Sequence, residues 1–206
     1  SRYVPGSAEV DPVLLSQALL VRAGAQGASV FDGEAISYET AGRAVLVGLD
    51  NGYAIEAGKV VLATGYVMPE WLNAPLHAIS STWAIATPPQ MPGTLWRDRA
   101  LIWEAGENYG YARTTTDNRI VIGGEDDPSP IDQAVRDAAM AAKSRALLAK
   151  LAGLWPAAVA RADFQWSGAF GETQDGLPLI GPVPGRPNMF AAYGYGGNGI
   201  TFSYMA

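Results

Sequence analysis

Cysteine is absent from this 206-residue chain. Its absence excludes disulfides, thiolate metal ligands, cysteine nucleophiles and cofactors attached through cysteine. His77 is the only histidine, and no acidic cluster accompanies it in the sequence, so we predict that the chain has no metal site. A chain without cysteine is compatible with the cytoplasm, which is where we expect this protein.

Basic residues and long apolar runs are also scarce. The chain has 14 Lys and Arg against 20 Asp and Glu, which gives a formal net charge of −6, and it has no Lys/Arg-rich stretch. We therefore expect no nucleic-acid partner, because such a partner requires a basic surface. No apolar run approaches the roughly 20 residues of a membrane helix, and the first residues lack a signal-peptide pattern, so we expect no membrane partner either.

What the chain has in quantity is hydrophobic residues, 49% against 17% charged residues, which is typical of a globular protein. Local patterns predict two helices. The first begins at Asp11, a capping residue followed by proline, and ends at Gly24 or Gly27. The second and longest begins at Ser129, which also precedes a proline, and runs to about Leu151.

Short strands are predicted for most of the remaining chain. Asp50-Asn51-Gly52 separates two of them and is a strong hairpin signal, because Asn and Gly accept the positive φ of a tight turn. Residues 60–63 are apolar on both faces, as expected of a strand buried between layers, and we expect them to lie near a strand at residues 189–193. Few helices and many hairpin-connected strands predict an α+β fold, with a largely antiparallel sheet and helices on one side.

Residues 194–199, GYGGNG, have the spacing Gly-x-Gly-x-x-Gly. This spacing occurs where glycines let backbone amides approach a phosphate at a helix start. No strand–helix–strand unit and no acidic residue about 20 positions further on follow it. The pattern by itself therefore favours the alternative, a turn that needs several positive φ angles.

Three further motifs accompany this glycine-rich segment. They are Asp-Gly-Leu-Pro-Leu-Ile-Gly at residues 175–181, Trp-Ser-Gly at residues 166–168, and Val-Val-Leu-Ala-Thr-Gly at residues 60–65 with Trp71 after it. In this order the motifs resemble the D-amino-acid oxidase superfamily, whose members include glycine, sarcosine and γ-glutamylputrescine oxidases. The resemblance runs from about Tyr3 to the end of the chain.

The resemblance implies FAD as the cofactor and assigns nine residues to its site. One strand residue faces the adenine, a turn passes near the diphosphate, and a loop and helix start lie beneath the pyrimidine end of the flavin. The matching residues, in that order, are Ile36, then Ala63, Thr64 and Gly65, then Gly196, Gly197, Asn198, Gly199 and Ile200. Backbone N–H groups at the helix start would stabilise the negative charge of reduced flavin.

Two features of the family are not found in this chain. The opening Gly-x-Gly-x-x-Gly turn and the acidic residue that binds the adenosine ribose would precede Ser1. We therefore expect the chain to be the C-terminal part of an oxidase, and to be inactive and free of FAD by itself. We also expect it to self-associate through apolar surface at residues 60–63 and around Phe190.

The substrate site departs from the family at Phe170. Many amino-acid-oxidising members carry an arginine there to pair with the substrate carboxylate, and Phe170 excludes such a salt bridge. The replacement candidates are Tyr109, Tyr111 and Arg113, which share one face of a predicted strand. They would line an amine pocket in which Arg113 binds a remote anionic group, and this region resembles the γ-glutamylputrescine oxidase branch. The alternative is an ordinary strand with its arginine in solvent.

Other polar and aromatic residues in the middle of the chain have simpler interpretations. The acidic run at residues 125–127 is interpreted as a solvated loop end. The hydroxyl residues 80–82 are interpreted as ordinary sheet residues, and Trp83, Trp96 and Trp103 as core.

The resemblance divides the chain into two parts. Residues 1–65 and 166–206 would form the remnant of a Rossmann-like FAD-binding domain, and residues 66–165 a substrate-binding domain. The implied function of the intact protein is oxidation of the C–N bond of a small amine or amino acid, by hydride transfer to flavin and hydrolysis of the imine. The alternative is a non-catalytic module that keeps the sheet and binds a small molecule or a protein without flavin.

Overall fold

The computed structural model describes residues 6, 8–72, 77–106, 109–128 and 132–206. Three α-helices lie in these ranges: α1 (Pro12–Ala25), α2 (Gln133–Leu154) and α3 (Gly199–Met205). The predicted start of α1 is confirmed, because Oδ1 of Asp11 accepts hydrogen bonds from the second and third residues after it. The predicted start of α2 at Ser129 lies outside the described residues, and the helix continues three residues beyond Leu151.

Eleven strands also lie in the described ranges. In chain order they are β1 (Ala35–Ala41), β2 (Ala44–Leu49), β3 (Ala54–Ala57), β4 (Val60–Leu62), β5 (His77–Ala86), β6 (Ile102–Trp103), β7 (Gly110–Thr114), β8 (Ile120–Asp127), β9 (Phe164–Thr173), β10 (Leu179–Pro182) and β11 (Met189–Tyr193). They form three sheets, ordered β1-β2-β3, β10-β11-β4 and β6-β7-β8-β5-β9. The predicted α+β class with mainly antiparallel pairing is confirmed. In the described part of the chain, no helix combines the length and apolar character needed to cross a membrane.

The chain divides into two compact units. The first contains residues 1–63, 180–192 and 198–206, and the second contains residues 64–179 and 193–197. The division predicted from sequence places a boundary at residue 166, inside β9. Because β9 pairs with β5 along its whole length, residues 166–179 belong to the second unit.

The first unit contains a three-stranded antiparallel sheet and a small mixed sheet. The hairpin predicted at Asp50-Asn51-Gly52 is confirmed, since β2 and β3 pair across it and Gly52 has φ +84°. In the mixed sheet, β4 runs parallel to β11 with Val60 opposite Met189, which confirms the expected proximity of these two segments.

Burial of β4 on both faces is not observed. Leu62 is 2% exposed, but Val61 is 63% exposed. The strand is at the edge of its sheet, and successive side chains of a strand point to opposite faces. One face of β4 therefore packs in the unit, and the other presents an apolar side chain outward.

The second unit is a five-stranded antiparallel sheet with α2 packed on one face. Its core consists of residues at alternate positions of β5, β7 and β8, two residues of α2, and Trp96 from the segment between β5 and β6. They are Trp83, Ile85, Trp96, Ala112, Ile120, Ile122, Leu147 and Leu151. The interpretation of Trp83 and Trp96 as core is confirmed. Trp83 also donates a hydrogen bond from its indole nitrogen to the carbonyl of Arg136 in α2, at 3.2 Å, so its polar atom is satisfied within the core.

Candidate functional site

The face of the five-stranded sheet opposite α2 carries most of the candidate substrate residues. We call it the open face. Side chains along a strand point alternately to the two faces of a sheet. The pairing registers therefore show which residues of each strand lie on the open face and which point toward α2. The polar and aromatic members are Ser80, Thr82, Trp103, Tyr109, Tyr111, Arg113, Asp126, Trp166, Phe170 and Glu172.

Three aromatic side chains of the open face contact one another. The ring centroids of Tyr109 and Tyr111 are 6.5 Å apart, and Trp103 meets Tyr109 edge to face at 6.1 Å. The interpretation of Trp103 as core was wrong, because 72% of its surface is exposed. It lies on β6 at the edge of the sheet, where the strand pairs on one side only.

An irregularity in β8 places Asp126 on this face. The pairing with β5 shifts between Ser81 and Trp83, and Gly124 and Glu125 both have positive φ, at +133° and +57°. Such a β-bulge inserts an extra residue and re-aims the side chains beyond it.

The contacts of the acidic run show the effect of the bulge. The Glu125 carboxylate lies 3.7 Å from the ammonium of Lys150 in α2, and Asp127 lies 3.8 Å from that of Lys143 in α2. Asp126, between them, instead accepts a hydrogen bond from Tyr109. The interpretation of residues 125–127 as a solvated loop end was therefore wrong, since they lie in strand β8 and are only half exposed.

The Asp126–Tyr109 pair is a short hydrogen bond on the open face. The Tyr109 hydroxyl donates to Oδ2 of Asp126 at 2.5 Å. Desolvation, followed by the hydrogen bond to Asp126 and its negative charge, raises the pKa of Tyr109 well above its ordinary value. The phenol therefore stays protonated and acts as a donor. The other oxygen, Oδ1 of Asp126, is buried and has no hydrogen-bond partner among the described residues.

Glu172 is the second carboxylate of the open face. It accepts a hydrogen bond from Ser80, the residue paired with Phe170 across the two strands. Partial desolvation, followed by the negative charge of Asp126, raises the pKa of Glu172, and the Ser80 hydrogen bond opposes this shift. Asp126 and Glu172 therefore interact electrostatically, and neither forms an ion pair with a described residue.

Tyr111 lies between the carboxylates and Arg113. Its hydroxyl end lies over Gly123, where an added Cβ would approach the phenol oxygen to 2.3 Å, so only glycine at this position leaves room for the ring. Desolvation of this end raises the pKa of Tyr111, and Asp126 adds to the rise. A hydrogen bond with Thr82 and the positive charge of Arg113 oppose it.

The residues assigned to FAD occupy exposed turns and strand positions. Ile36 in β1 is 63% exposed, Gly65 lies in a turn after β4 with φ +71°, and Gly196 has φ +54°. Ala63, Thr64 and Gly197 are also exposed, Asn198 completes a short turn and Gly199 and Ile200 begin α3.

These glycine turns fit a closely approaching cofactor. A Cβ added to Gly65, Gly196 or Gly197 would meet no atom within 4 Å, so the space beside each backbone is open, as close approach of a flat ligand requires. Gly194, at the start of the loop, packs against Thr173 of β9. The loop therefore begins at the strand end that carries Phe170 and Glu172.

The assigned residues are divided between the two units. Ile36, Ala63, Asn198, Gly199 and Ile200 belong to the first unit, and Thr64, Gly65, Gly196 and Gly197 belong to the second, as do the substrate candidates. Among the described residues, no group of three or more His, Asp or Glu side chains is arranged to hold a metal ion.

Sequence reasoning missed Asp126, Glu172 and Trp103. A signal for Asp126 was present: the Gly123-Gly124 pair within a predicted strand is typical of a bulge or of close backbone approach. Glu172 had no comparable signal, because its place beside Asp126 depends on the pairing of β9 with β5.

Comparison with known proteins identifies the family. The model of the family described as DAO, FAD dependent oxidoreductase, matches residues 2–206. The chain belongs to this FAD-dependent family.

The relatives include proteins named as amino-acid oxidases. The glycine oxidase of Geobacillus kaustophilus is 30% identical over 217 residues, which cover 98% of this chain and 52% of that protein. Its crystal structure has a TM-score of 0.73 at 25% identity and covers 93% of this chain and 50% of that one. An iminodiacetate oxidase from Chelativorans has a TM-score of 0.75 at 21% identity, with coverage of 94% and 52%, and shows the fold alone. The chain thus spans about half the length of these relatives.

Proposed function

We propose that this chain supplies the substrate-binding sheet and part of the cofactor site of an FAD-dependent oxidase or dehydrogenase acting on a C–N bond. The observation that carries the proposal is the open face. This member of an FAD-dependent family has two tyrosines, an arginine and two carboxylates on one face of the sheet. The glycine-rich loop begins at the end of strand β9 of the same sheet.

The chemistry divides between cofactor and protein. Bound FAD would supply the hydride acceptor for oxidation of the carbon that bears the neutral amine, and hydrolysis of the product imine would complete the reaction. The residues of this chain bind and orient the substrate. Tyr109 and Tyr111 supply flat apolar surface with hydroxyl ends, and Arg113 binds an anionic group of the substrate by paired N–H donors.

Phe170 excludes one way of binding the substrate, a salt bridge to its carboxylate at this position. It is half-buried on β9, and a phenyl ring cannot form a salt bridge with a carboxylate. An α-amino acid held through its carboxylate at this position is therefore excluded. We propose a small amine with its anionic group, where it has one, remote from the reacting carbon.

The proposal includes the roles of the two units and the behaviour of the isolated chain. We assign cofactor binding mainly to the first unit and substrate binding to the second. The first unit exposes large apolar side chains, including Val21, Phe31 and Val61 at 75%, 72% and 63%. We therefore expect the isolated chain to self-associate and to bind FAD weakly, which light scattering and flavin titration would test.

The decisive experiment is purification of the protein in its full-length form, followed by visible spectroscopy and an amine-oxidation assay. Flavin absorbance that is bleached anaerobically by an amine supports the proposal. A colourless protein that recovers no flavin on reconstitution would overturn it. That outcome would favour a non-catalytic binding module that retains the same sheet.

A further inference from the structure

We propose that Gly123 and Thr82 are positioning residues that hold Tyr111 down across strand β8, so that its phenol forms the floor of the amine pocket on the open face. The inference rests on the proposed function and adds the residues that set the depth of this pocket. Gly123 and Thr82 act through Tyr111, and Tyr111 is the residue that contacts the substrate.

The first observation is the place of the Tyr111 phenol. Tyr111 on β7 is paired with Gly123 on β8, and a Cβ added to Gly123 would overlap both Cζ and the hydroxyl oxygen of Tyr111. The phenol end therefore occupies the volume in which any other side chain at position 123 would stand. Side chains of a strand ordinarily stand roughly perpendicular to the sheet, whereas that of Tyr111 leans across the neighbouring strand.

The second observation is a hydrogen bond at the far end of the phenol. The Tyr111 hydroxyl is hydrogen-bonded to Thr82, which lies on β5, the strand on the other side of β8. Neighbouring strands are about 4.8 Å apart, so the Tyr111 side chain spans the full width of β8. Gly123 gives the phenol its space, and Thr82 fixes its end.

The third observation is that the floor continues in the neighbouring ring. The ring of Tyr109 lies 6.5 Å from that of Tyr111, with their planes 31° apart, and the Tyr109 hydroxyl is held by Asp126 at 2.5 Å. Each phenol is thus tied at its polar end to another strand, Tyr109 to β8 and Tyr111 to β5. Since 36% of the Tyr111 surface stays exposed, a ligand on the open face can lie against it.

An added methyl group at position 123 would change the pocket in a definite way. The backbone of Gly123 is held in register with both β7 and β5, so the phenol gives way and the strand does not. The displaced ring loses its bond to Thr82 and stands up into the space of the ligand. Substrate binding therefore weakens, while the rate at which bound substrate is oxidised changes little.

The test is a double-mutant cycle in the full-length, FAD-loaded protein. Steady-state kinetics use the amine that the wild type oxidises with the highest kcat/KM, with propylamine, 4-aminobutanoate and 3-phenylpropylamine tried first. Gly123→Ala should raise KM by about tenfold and change kcat by less than about threefold. In the Tyr111→Ala background the same substitution should change KM by less than about twofold, because no phenol remains to be displaced.

Thr82 provides a second probe that involves no steric clash. Thr82→Val keeps the shape of the side chain and removes its hydroxyl, so KM should rise by about threefold to tenfold, as expected for one lost hydrogen bond. Thr82→Ser keeps the hydroxyl and should leave KM within about twofold of the wild type. A role of Thr82 in sheet packing alone would not make KM follow the hydroxyl in this way.

Gly110→Ala is the matched control for a crowded glycine. Gly110 precedes Tyr111 on β7 but faces α2, where its Cβ would lie 2.9 Å from the Glu104 carboxylate and from Cδ of Lys150. These are the ends of flexible side chains on the other face of the sheet, so KM should stay within about twofold of the wild type.

Chemical unfolding of the same variants gives a readout that needs no substrate. Gly123→Ala should raise the unfolding equilibrium constant by about tenfold in the wild type, as overpacking does, and by less than about threefold in the Tyr111→Ala background. Equal effects of Gly123→Ala in the two backgrounds, in KM or in unfolding, overturn the role of Gly123, and equal KM values for Thr82→Val and Thr82→Ser overturn that of Thr82. A flavin-loaded protein that oxidises no amine defeats the proposed function itself, while the unfolding cycle still decides whether Gly123 seats Tyr111.

Discussion

The two faces of the five-stranded sheet are built from the same strands and have opposite characters. Toward α2, Ile85 and Ile122 are at most 1% exposed and pack with the fully buried Leu147 of the helix in one apolar core. On the open face, the corresponding alternate positions carry Tyr111, Arg113 and Glu172, which are exposed or half-exposed. A strand thus distributes its stabilising and its binding residues by alternation, so that one face holds the fold and the other is available for a ligand.

The bulge in β8 changes the faces to which the acidic residues after it point. Without the extra residue at Gly124 and Glu125, strict alternation from Gly123 would direct Glu125 to the open face and Asp126 to α2. With it, Glu125 contacts α2 and Asp126 contacts Tyr109. The bulge therefore determines that the Glu125 carboxylate points toward α2 and the Asp126 carboxylate toward the open face.

The largest effect is expected from the covered face. Leu147→Ala removes a side chain that is fully buried in the core and should lower the free energy of unfolding by about 2–5 kcal/mol. Chemical denaturation followed by tryptophan fluorescence measures it. Leu154→Ala, in the last turn of the same helix and 47% exposed, should change stability by less than about 1 kcal/mol. Equal losses for the two variants would contradict the assignment of the core.

A binding effect of intermediate size is expected from the open face. If Arg113 binds an anionic substrate group, Arg113→Ala should raise KM for an anionic amine by the loss of about 1.5–3 kcal/mol, with unfolding little changed. Steady-state kinetics of the full-length, FAD-loaded protein measure this. Arg97→Ala is the control, because the Arg97 side chain is 93% exposed and pairs only with its neighbour Asp98. Unchanged kinetics would place Arg113 in solvent without a role.

The bulge itself can be tested by a substitution that links both faces. Gly124→Ala places a Cβ 2.6 Å from the Tyr109 carbonyl at φ +133°, which should cost about 1–3 kcal/mol of stability. Gly153→Ala in α2 meets no atom within 4 Å and should stabilise by about 0.5–1 kcal/mol. Denaturation of the matched pair measures both. A Gly124 variant as stable as the wild type would show that the strand tolerates other geometries here.

The smallest effect is a pH dependence. The pKa of Glu172 is raised from its ordinary value of 4.5, first by desolvation and then by Asp126, against the Ser80 hydrogen bond. The folded state therefore holds this proton more tightly than the unfolded state, so its contribution to stability is full below about pH 4.5 and is lost as pH rises through the raised pKa. Tyr109, also nearby, stays neutral throughout.

Thermal unfolding of wild type and Glu172→Gln over that pH range checks the sign. The variant should gain on the wild type as pH rises and show no advantage at the acidic end. Should the two curves run parallel, Glu172 would be as solvated in the fold as in the unfolded chain, and its coupling to Asp126 would be absent.

Local sequence patterns determined a helix start, a hairpin and the shared strand face of two tyrosines. Asp11 caps α1 because its carboxylate reaches the first free N–H groups, and Asp50-Asn51-Gly52 forms a hairpin because its residues accept positive φ. Tyr109 and Tyr111 were predicted to share a face, and their rings do contact each other. These features depend on interactions within a few residues, so the sequence pattern alone contains them.

Tertiary structure decided the rest. Val61 is exposed because it points to the opposite face of β4 from the buried Leu62, and Trp103 is exposed because it points to the open face and not toward α2. Which face of a strand is covered depends on tertiary packing, which no local pattern encodes. Asp126 meets Tyr109 only because a bulge shifts the pairing of β8 with β5, and Glu172 lies on the same face only because β9 pairs with the other side of β5. Electrostatic coupling between carboxylates 46 positions apart in the chain arises from distance in space, and only the folded sheet sets that distance.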